Sequence, residues 1–318
     1  MFDYLKQFME YISRINRSPF AAKDVDNEIA SQIEQLRNNG FVRLDHLVGS
    51  KAILQVQKSL MNLIEEDYCY EYPCLAQSKI DKKKHSDIIE KHFLVDPVEL
   101  KKHNLTFEYE DIKSYQQMVT DFEPSTLKIP MPSHKDFYDL WLDKTVMAII
   151  EGYMGFIPEM TEAYIRRNFP AKYPVMNHNW HRDTNHPNYL VKAFIFFTDC
   201  DINTGAHHYI AGSIQDQRFR DKTYYPDSEI HSVWPIGSDQ HKISSVPAGT
   251  IIIEDTRGLH KAGIPKKNYR DLGFAIFTPP NSFRKRKPYY QISKSSFNEL
   301  STHQKLYISK SNIARVPL

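Results

Sequence analysis

Cysteine, glycine and long apolar runs are all scarce in this chain. Only three cysteines, Cys69, Cys74 and Cys200, occur among 318 residues, an odd number without Cys-X-X-Cys spacing. That argues against a disulfide framework or a cysteine-built zinc site and makes a reducing, cytoplasmic compartment the expectation. Eleven glycines against 18 prolines imply stiff loops rather than a disordered chain. No stretch is long and apolar enough to span a bilayer. Met1 to Phe20 is interrupted by Asp3, Lys6, Glu10 and Arg14, so it reads as neither a signal peptide nor a membrane span. A surplus of one charge sign is also missing. The formal net charge of +2 gives no ground for a nucleic-acid or anionic-membrane partner. The run Arg284-Lys285-Arg286-Lys287 reads as a solvated basic loop ahead of a phosphate patch.

What is present divides the chain by pattern. Ile29, Ile33 and Leu36 recur at helical spacing and stop at Asn39-Gly40; Phe41 to Val48 reads as a strand; Ala52 to Ile64 and Phe137 to Tyr153 read as helices. Between Cys69 and Lys135 the pattern weakens, leaving a lid and a solvated connection as open readings. From Ile157 to Pro280 short β-rich runs alternate with turns: Thr161–Asn168, Tyr189–Thr198, Ile243–Val246, Thr250–Glu254 and Leu272–Thr278. The expected fold is α+β with a mainly β core, a double-stranded β-helix (jelly roll, cupin-like) flanked by N-terminal helices. One domain is expected over 1–318. Within it, 1–156 is mostly helical support and lid, 157–280 the jelly-roll core with the metal site, and 281–318 a C-terminal extension.

The chemistry concentrates at Asn179-Trp180-His181-Arg182-Asp183. Residues two apart on a strand point the same way, so His181 and Asp183 converge. His260, which follows the apolar strand Ile251-Ile252-Ile253, is the third candidate, since a jelly roll brings distant strands together. Two imidazoles and one carboxylate suit a divalent metal of intermediate hardness and leave three octahedral positions open. Oxygen chemistry uses them, two for a chelating keto acid and one for dioxygen. Arg270 lies ten residues beyond His260, across what reads as a hairpin turn at Gly263–Asn268. A buried arginine grips a carboxylate through two parallel hydrogen bonds, which would anchor the distal carboxylate of 2-oxoglutarate.

Other residues carry two readings each. Tyr164, Arg166 and Asn168 share one strand face, which either lines the barrel, to hold substrate or 2-oxoglutarate, or leaves Arg166 in an outer salt bridge. Lys192 either snorkels at an edge or faces the cavity beside Phe194. If Arg166 and Lys192 do face the cavity, they await a second anion, a carboxylate or phosphate of the substrate. His178, which points away from His181 on a strand, and His186, in Asn185-His186-Pro187-Asn188, are each open to an outer-sphere or a substrate-facing reading; His207 and His208 read as packed or surface residues.

The ordered set comprises Gly40-Phe41-Val42-Arg43-Leu44 after a helix, His181-Arg182-Asp183, the strand into Asp199, Thr204-Gly205-Ala206 leading to Ala211-Gly212-Ser213, Gly249 before the apolar strand, His260 and Arg270. Over roughly Glu28 to Pro280 it resembles the phytanoyl-CoA dioxygenase-like family of iron(II)/2-oxoglutarate oxygenases. The resemblance implies Fe(II) on His181, Asp183 and His260, 2-oxoglutarate on Arg270 with Tyr164 and Phe194 nearby, O2 as oxidant, and hydroxylation of an unactivated C–H bond of a small molecule with release of succinate and CO2. The chain departs from the family at Ile214, where a histidine often follows the serine, so the loop says nothing of the substrate. Halogenating relatives lack the carboxylate that Asp183 supplies. Two rivals come from other classes. A cupin-like isomerase or zinc hydrolase would not need Arg270, and a non-catalytic jelly-roll binding protein would hold no metal tightly. Substrate identity and oligomeric state are not legible.

Overall fold

Gly40 is where the first described helix gives way to the main sheet. In this computed structural model the described residues are 9, 26–45, 47–66, 70–71, 73–90, 97–132, 135–183, 190–280 and 290–314. Helix Asn27–Asn39 starts at Asp26, whose carboxylate accepts the Glu28 N–H at 2.8 Å, and ends at Gly40 in the left-handed region, φ 84°. The next four residues, Phe41–Leu44 (β1), are already sheet.

The strands that follow are β2 (Cys74–Leu75), β3 (Thr106–Phe107), β4 (Thr126–Pro130), β5 (Glu159–Asn168), β6 (Trp180–His181), β7 (Val191–Phe196), β8 (His208–Ile210), β9 (Tyr224–Tyr225), β10 (His241–Ile243), β11 (Ile251–Asp255), β12 (His260–Lys261) and β13 (Arg270–Thr278). A six-stranded sheet runs β1-β11-β7-β13-β5-β4, and a five-stranded sheet runs β10-β8-β12-β6-β9. Every pair in both is antiparallel. Together they form a jelly roll with its site between the sheets, and β2 and β3 pair separately.

Strand alternation explains why both faces of the large sheet are buried. β13 is buried along its whole length. Leu272, Phe274 and Ile276 join Tyr164, Phe194, Phe196 and Ile252 in a core facing the small sheet. Ala275 and Phe277 join Ala193, Ile195, Ile251 and Ile253 in the core under the helices. Each fully buried large side chain there contributes about 1.5–3 kcal/mol of transfer free energy. Gly273 is required on the helix side. A Cβ there would come within 2.7 Å of Trp141, whose indole N–H donates to the Ala193 carbonyl at 3.1 Å.

Several sequence expectations shift. The helix expected over Phe137–Tyr153 is two helices, Lys135–Trp141 and Lys144–Met154, because Asp143 accepts the Thr145 N–H and restarts it. The expected strand Phe41 to Val48 stops at Leu44. Ile243–Val246 is displaced to His241–Ile243, and Val246 only bridges Cys200. The weakly patterned stretch hides β4, an edge strand on β5 with Leu127 and Ile129 buried. Cys74 and Cys200 are buried free thiols, and burial pushes the Cys74 thiol up to about 12. Cys69, His186 and the run Arg284–Lys287 lie outside the described residues, as does the Met1 to Phe20 segment apart from Met9. No helix among the described residues is long and apolar enough to cross a membrane.

Candidate metal centre

β6 and β12 pair with His181 opposite His260, so their rings meet with centroids 4.2 Å apart. Asp183 lies just past the end of β6, where its N–H donates to the Thr256 carbonyl at 2.8 Å. Donor atoms of His181, Asp183 and His260 all fall within 4.8 Å of one another. Trp180 and Arg182 alternate away from the site. Trp180 is fully buried and its indole N–H donates to Asp227 at 2.8 Å. Arg182 donates to the carbonyls of Ser213 at 2.8 Å and Arg257 at 2.9 Å, bracing the loops around the site.

The two imidazoles are set in one tautomer. Nδ1–H of His181 donates to the Asn179 carbonyl at 2.9 Å, and that of His260 to the Gly258 carbonyl at 3.0 Å. Each Nε2 therefore presents its lone pair to the common point. Burial pulls both histidines below their usual pKa range, so both are neutral near pH 7. Asp183 is the opposite case. Burial, the largest single effect, pushes its carboxyl up, but Lys192, followed by His260 and His181, together hold it well below the usual carboxylate range. Lys192 Nζ lies 2.6 Å from Asp183 Oδ2 as a close ion pair. Two aimed lone pairs and an ionised carboxylate within 4.8 Å of one another are a donor set that suits a divalent ion.

Both sheets line a cavity of about 320 Å³ at this point. Tyr164, Arg166 and Asn168 come from β5, Lys192 and Phe194 from β7, and Arg270 from β13. Lys192 thus faces the cavity rather than snorkelling at an edge, and Arg166 is in no outer salt bridge among the described residues. Arg270 is 1% exposed without a carboxylate partner among the described residues. It donates to the Gly205 carbonyl and to Asn168 Oδ1 at 3.3 Å, and its Nε is unpartnered. Gly205 is needed here, since it sits at φ +85° and a Cβ would come within 2.6 Å of the Gly263 carbonyl. The expected hairpin between His260 and Arg270 is instead a crossover. β12 belongs to the small sheet and β13 to the large one, and Arg270 pairs with Asn168. The Gly263 N–H donating to Ala206 ties this crossover down. Arg270 still reaches the cavity, by way of the opposite wall.

Among the lining residues not singled out from sequence as cavity residues are Phe274, His207 and Tyr224. Phe274 follows Arg270 at the strand period of two, so alternation could have found it. His207 reads as packed or surface from sequence; it is buried, lines the cavity and donates through Nε2 to Glu254 at 3.0 Å. Tyr224 sits on the two-residue β9, too short to leave a pattern. His178 lies in a 3-10 turn rather than on a strand, and its Nδ1 accepts the Val175 N–H.

No family model and no curated protein matches the sequence. Solved structures do. SnoK, described as a non-heme alpha ketoglutarate dependent carbocyclase from nogalamycin biosynthesis, is 13% identical over 80% of this chain and 84% of that one, with a TM-score of 0.51. The epimerase SnoN, solved with Fe3+, alpha ketoglutarate and nogalamycin RO, is 11% identical over 79% and 83%, at 0.50. EctD from S. alaskensis in its apoform is 15% identical over 92% of each chain, at 0.50. The chain shares their fold. At these identities the likeness is one of fold, and the chemistry must be argued from the side chains.

The buried neutral histidines make stability depend on pH. Burial, more than any neighbouring charge, lowers both His178 and His208 to about 3. The unfolded chain takes up protons below about pH 6.5 that these folded histidines refuse. Their contribution is therefore complete above about pH 6.5 and is lost as pH falls towards about 3, at up to about 1.4 kcal/mol per pH unit for each. Urea midpoints measured at pH 7.5, 5.5 and 4.5 should fall progressively. A midpoint unchanged between pH 7.5 and 4.5 would mean that these histidines titrate normally in the fold.

Proposed function

We propose that the protein is an iron(II)- and 2-oxoglutarate-dependent dioxygenase that hydroxylates an unactivated C–H bond of a small organic molecule, releasing succinate and CO2. The observation that carries this reading is the pairing of two unmet needs in one cavity. His181, Asp183 and His260 present metal donors, and buried Arg270 presents a guanidinium without a counterion among the described residues. A metal-dependent hydrolase or isomerase accounts for the first need and leaves the second unexplained; a binding module accounts for neither. His181, Asp183 and His260 would hold the metal, and Arg270 the distal carboxylate of the cosubstrate, with Tyr164 and Phe194 packing beside it. When bound, the pair supplies oxidative decarboxylation coupled to oxygen transfer. The chain's own part is to keep the imidazoles neutral and aimed, to fix the carboxylate, and to wall the site with Phe194, Leu272 and Phe274 against water. The fold shared with SnoK and SnoN, whose descriptions name alpha ketoglutarate, supports the same class. The ordered motifs from Gly40 to Arg270 favour the phytanoyl-CoA dioxygenase-like branch.

The test is anaerobic addition of Fe(II) and 2-oxoglutarate, followed by oxygen. A weak visible charge-transfer band should form, and succinate should then appear in proportion to 2-oxoglutarate consumed. Absence of the band, with metal bound, would leave the hydrolase or isomerase reading in its place. Because Asp183 would supply the third protein ligand and leave no position for halide, products should be hydroxylated or desaturated even in high chloride. Chlorine in the product mass spectrum would show that Asp183 does not ligate.

A further inference from the structure

The cavity walls carry more positive charge than the proposed reaction uses. Arg166, Lys192 and Arg270 line it against one carboxylate, Asp183. Lys192 is paired with that carboxylate, and Arg270 is assigned to the cosubstrate. A divalent metal and dianionic 2-oxoglutarate offset each other, so loading the site leaves the surplus on the walls.

Arg166 carries that surplus. Its guanidinium donates to the Tyr164 hydroxyl at 2.9 Å and lies over the rings of Tyr164 and Phe274, with centroids at 5.2 and 5.4 Å. No carboxylate pairs with it among the described residues. Its neighbours show what a satisfied cation looks like in this sheet. Arg167, on the opposite face of β5, grips Asp271 through Nε at 2.8 Å and Nη2 at 2.7 Å and also donates to the Tyr115 hydroxyl. Lys128, 4.2 Å from the Tyr164 ring centroid, pairs with Glu71 at 2.8 Å. Of these, Arg166 alone lines the cavity and has, among the described residues, no carboxylate partner beside its phenol. Its charge is also felt inside the site. After burial, Arg166 is among the groups that lower the pKa of both Arg270 and His178. Two like charges facing one small cavity repel unless an anion sits at each.

We propose that Arg166 is the anion-binding pole of the substrate site, so that the substrate carries a compact oxyanion, a carboxylate or a phosphate, joined to an apolar body. This rests on the dioxygenase reading above only in assigning the other anion to Arg270. The aromatic rings of Tyr164, Phe194, Tyr224 and Phe274 line the rest of the cavity and suit the apolar body. The planar fork over Tyr164 and Phe274 is held for a bidentate grip on an oxyanion.

The test uses small probes on wild-type, Arg166→Gln and Arg166→Lys proteins loaded with Mn(II) and saturating 2-oxoglutarate. Each is titrated calorimetrically with benzoate, phenyl phosphate and neutral benzyl alcohol. One anion should bind the wild type about tenfold more tightly than the alcohol and lose about tenfold in the glutamine variant, with the lysine variant between. Which of benzoate and phenyl phosphate binds identifies the oxyanion. The proposal is overturned if the alcohol binds as well as both anions, or if the glutamine variant keeps the anion. It is equally overturned if that variant loses 2-oxoglutarate instead, which would make Arg166 the cosubstrate's clamp. Failure of 2-oxoglutarate to bind wild-type protein would sink the dioxygenase reading alone. The same titration of metal-free protein then decides the role of Arg166 by whether the glutamine substitution removes anion binding.

Discussion

Replacing His260 with alanine should lower Fe(II) affinity by about 100-fold or more and abolish succinate release. The size of the effect follows from how completely the residue is committed. His260 is 3% exposed, its Nδ1–H is fixed on the Gly258 carbonyl, and its ring lies 4.2 Å from that of His181. A water molecule filling the space left by the ring would not reproduce an aimed, neutral imidazole. His181→Ala should behave alike, because Asn179 orients it in the same way. Both variants should fold, since neither ring anchors a hydrophobic core and each gives up one hydrogen bond to a backbone carbonyl. Metal content after anaerobic reconstitution, read beside far-ultraviolet circular dichroism, separates lost ligation from lost folding. Stoichiometric iron in a folded His260→Ala protein would remove His260 from the ligand set.

The candidate metal donors are legible in the sequence because two of them depend on short-range geometry and the third on a strongly apolar strand. His181 and Asp183 are two apart at a strand end, and His260 follows an apolar run that could only be a buried strand. Arg270 was legible for a partly wrong reason. Its proximity to His260 in sequence suggested a hairpin, whereas the chain crosses between sheets and delivers Arg270 from the opposite wall. The period of two on β13 still aims it inward, so its place on the cavity wall holds although the hairpin does not. Lys192 shows what one sequence cannot give. Its facing was ambiguous because an apolar strand with one lysine fits an edge or a cavity equally. Its partner, Asp183, became apparent only once β6 and β7 were on opposite walls of one cavity. β4 was missed because an edge strand of five residues, half-exposed and ending in proline, carries little pattern. The break at Asp143 was missed because apolar periodicity runs through it, and the cap is a single side-chain hydrogen bond.

Arg270→Ala should weaken 2-oxoglutarate binding by roughly 2–5 kcal/mol, the usual cost of stranding one member of a desolvated charge pair. Arg270 is buried at a cost that a bound carboxylate would offset. Burial works against its charge, no carboxylate among the described residues compensates it, and its Nε is unsatisfied. The Gly205 carbonyl and Asn168 Oδ1 take two of its donors and fix the plane of the guanidinium. In the proposed complex the remaining donors would meet two carboxylate oxygens. Lysine at this position offers one ammonium in place of a planar fork, so Arg270→Lys should recover only part of the loss. The alanine variant should still bind metal, because none of the three donors touches Arg270 in the ligand geometry. Ligand linkage gives an independent reading. Anything that binds only the folded state raises the thermal midpoint, so 2-oxoglutarate should raise it in Mn(II)-loaded wild type and scarcely at all in Arg270→Ala. An equal rise in both proteins, with equal affinity by titration, would mean that another cation of the cavity, with Arg166 the first to examine, holds the cosubstrate.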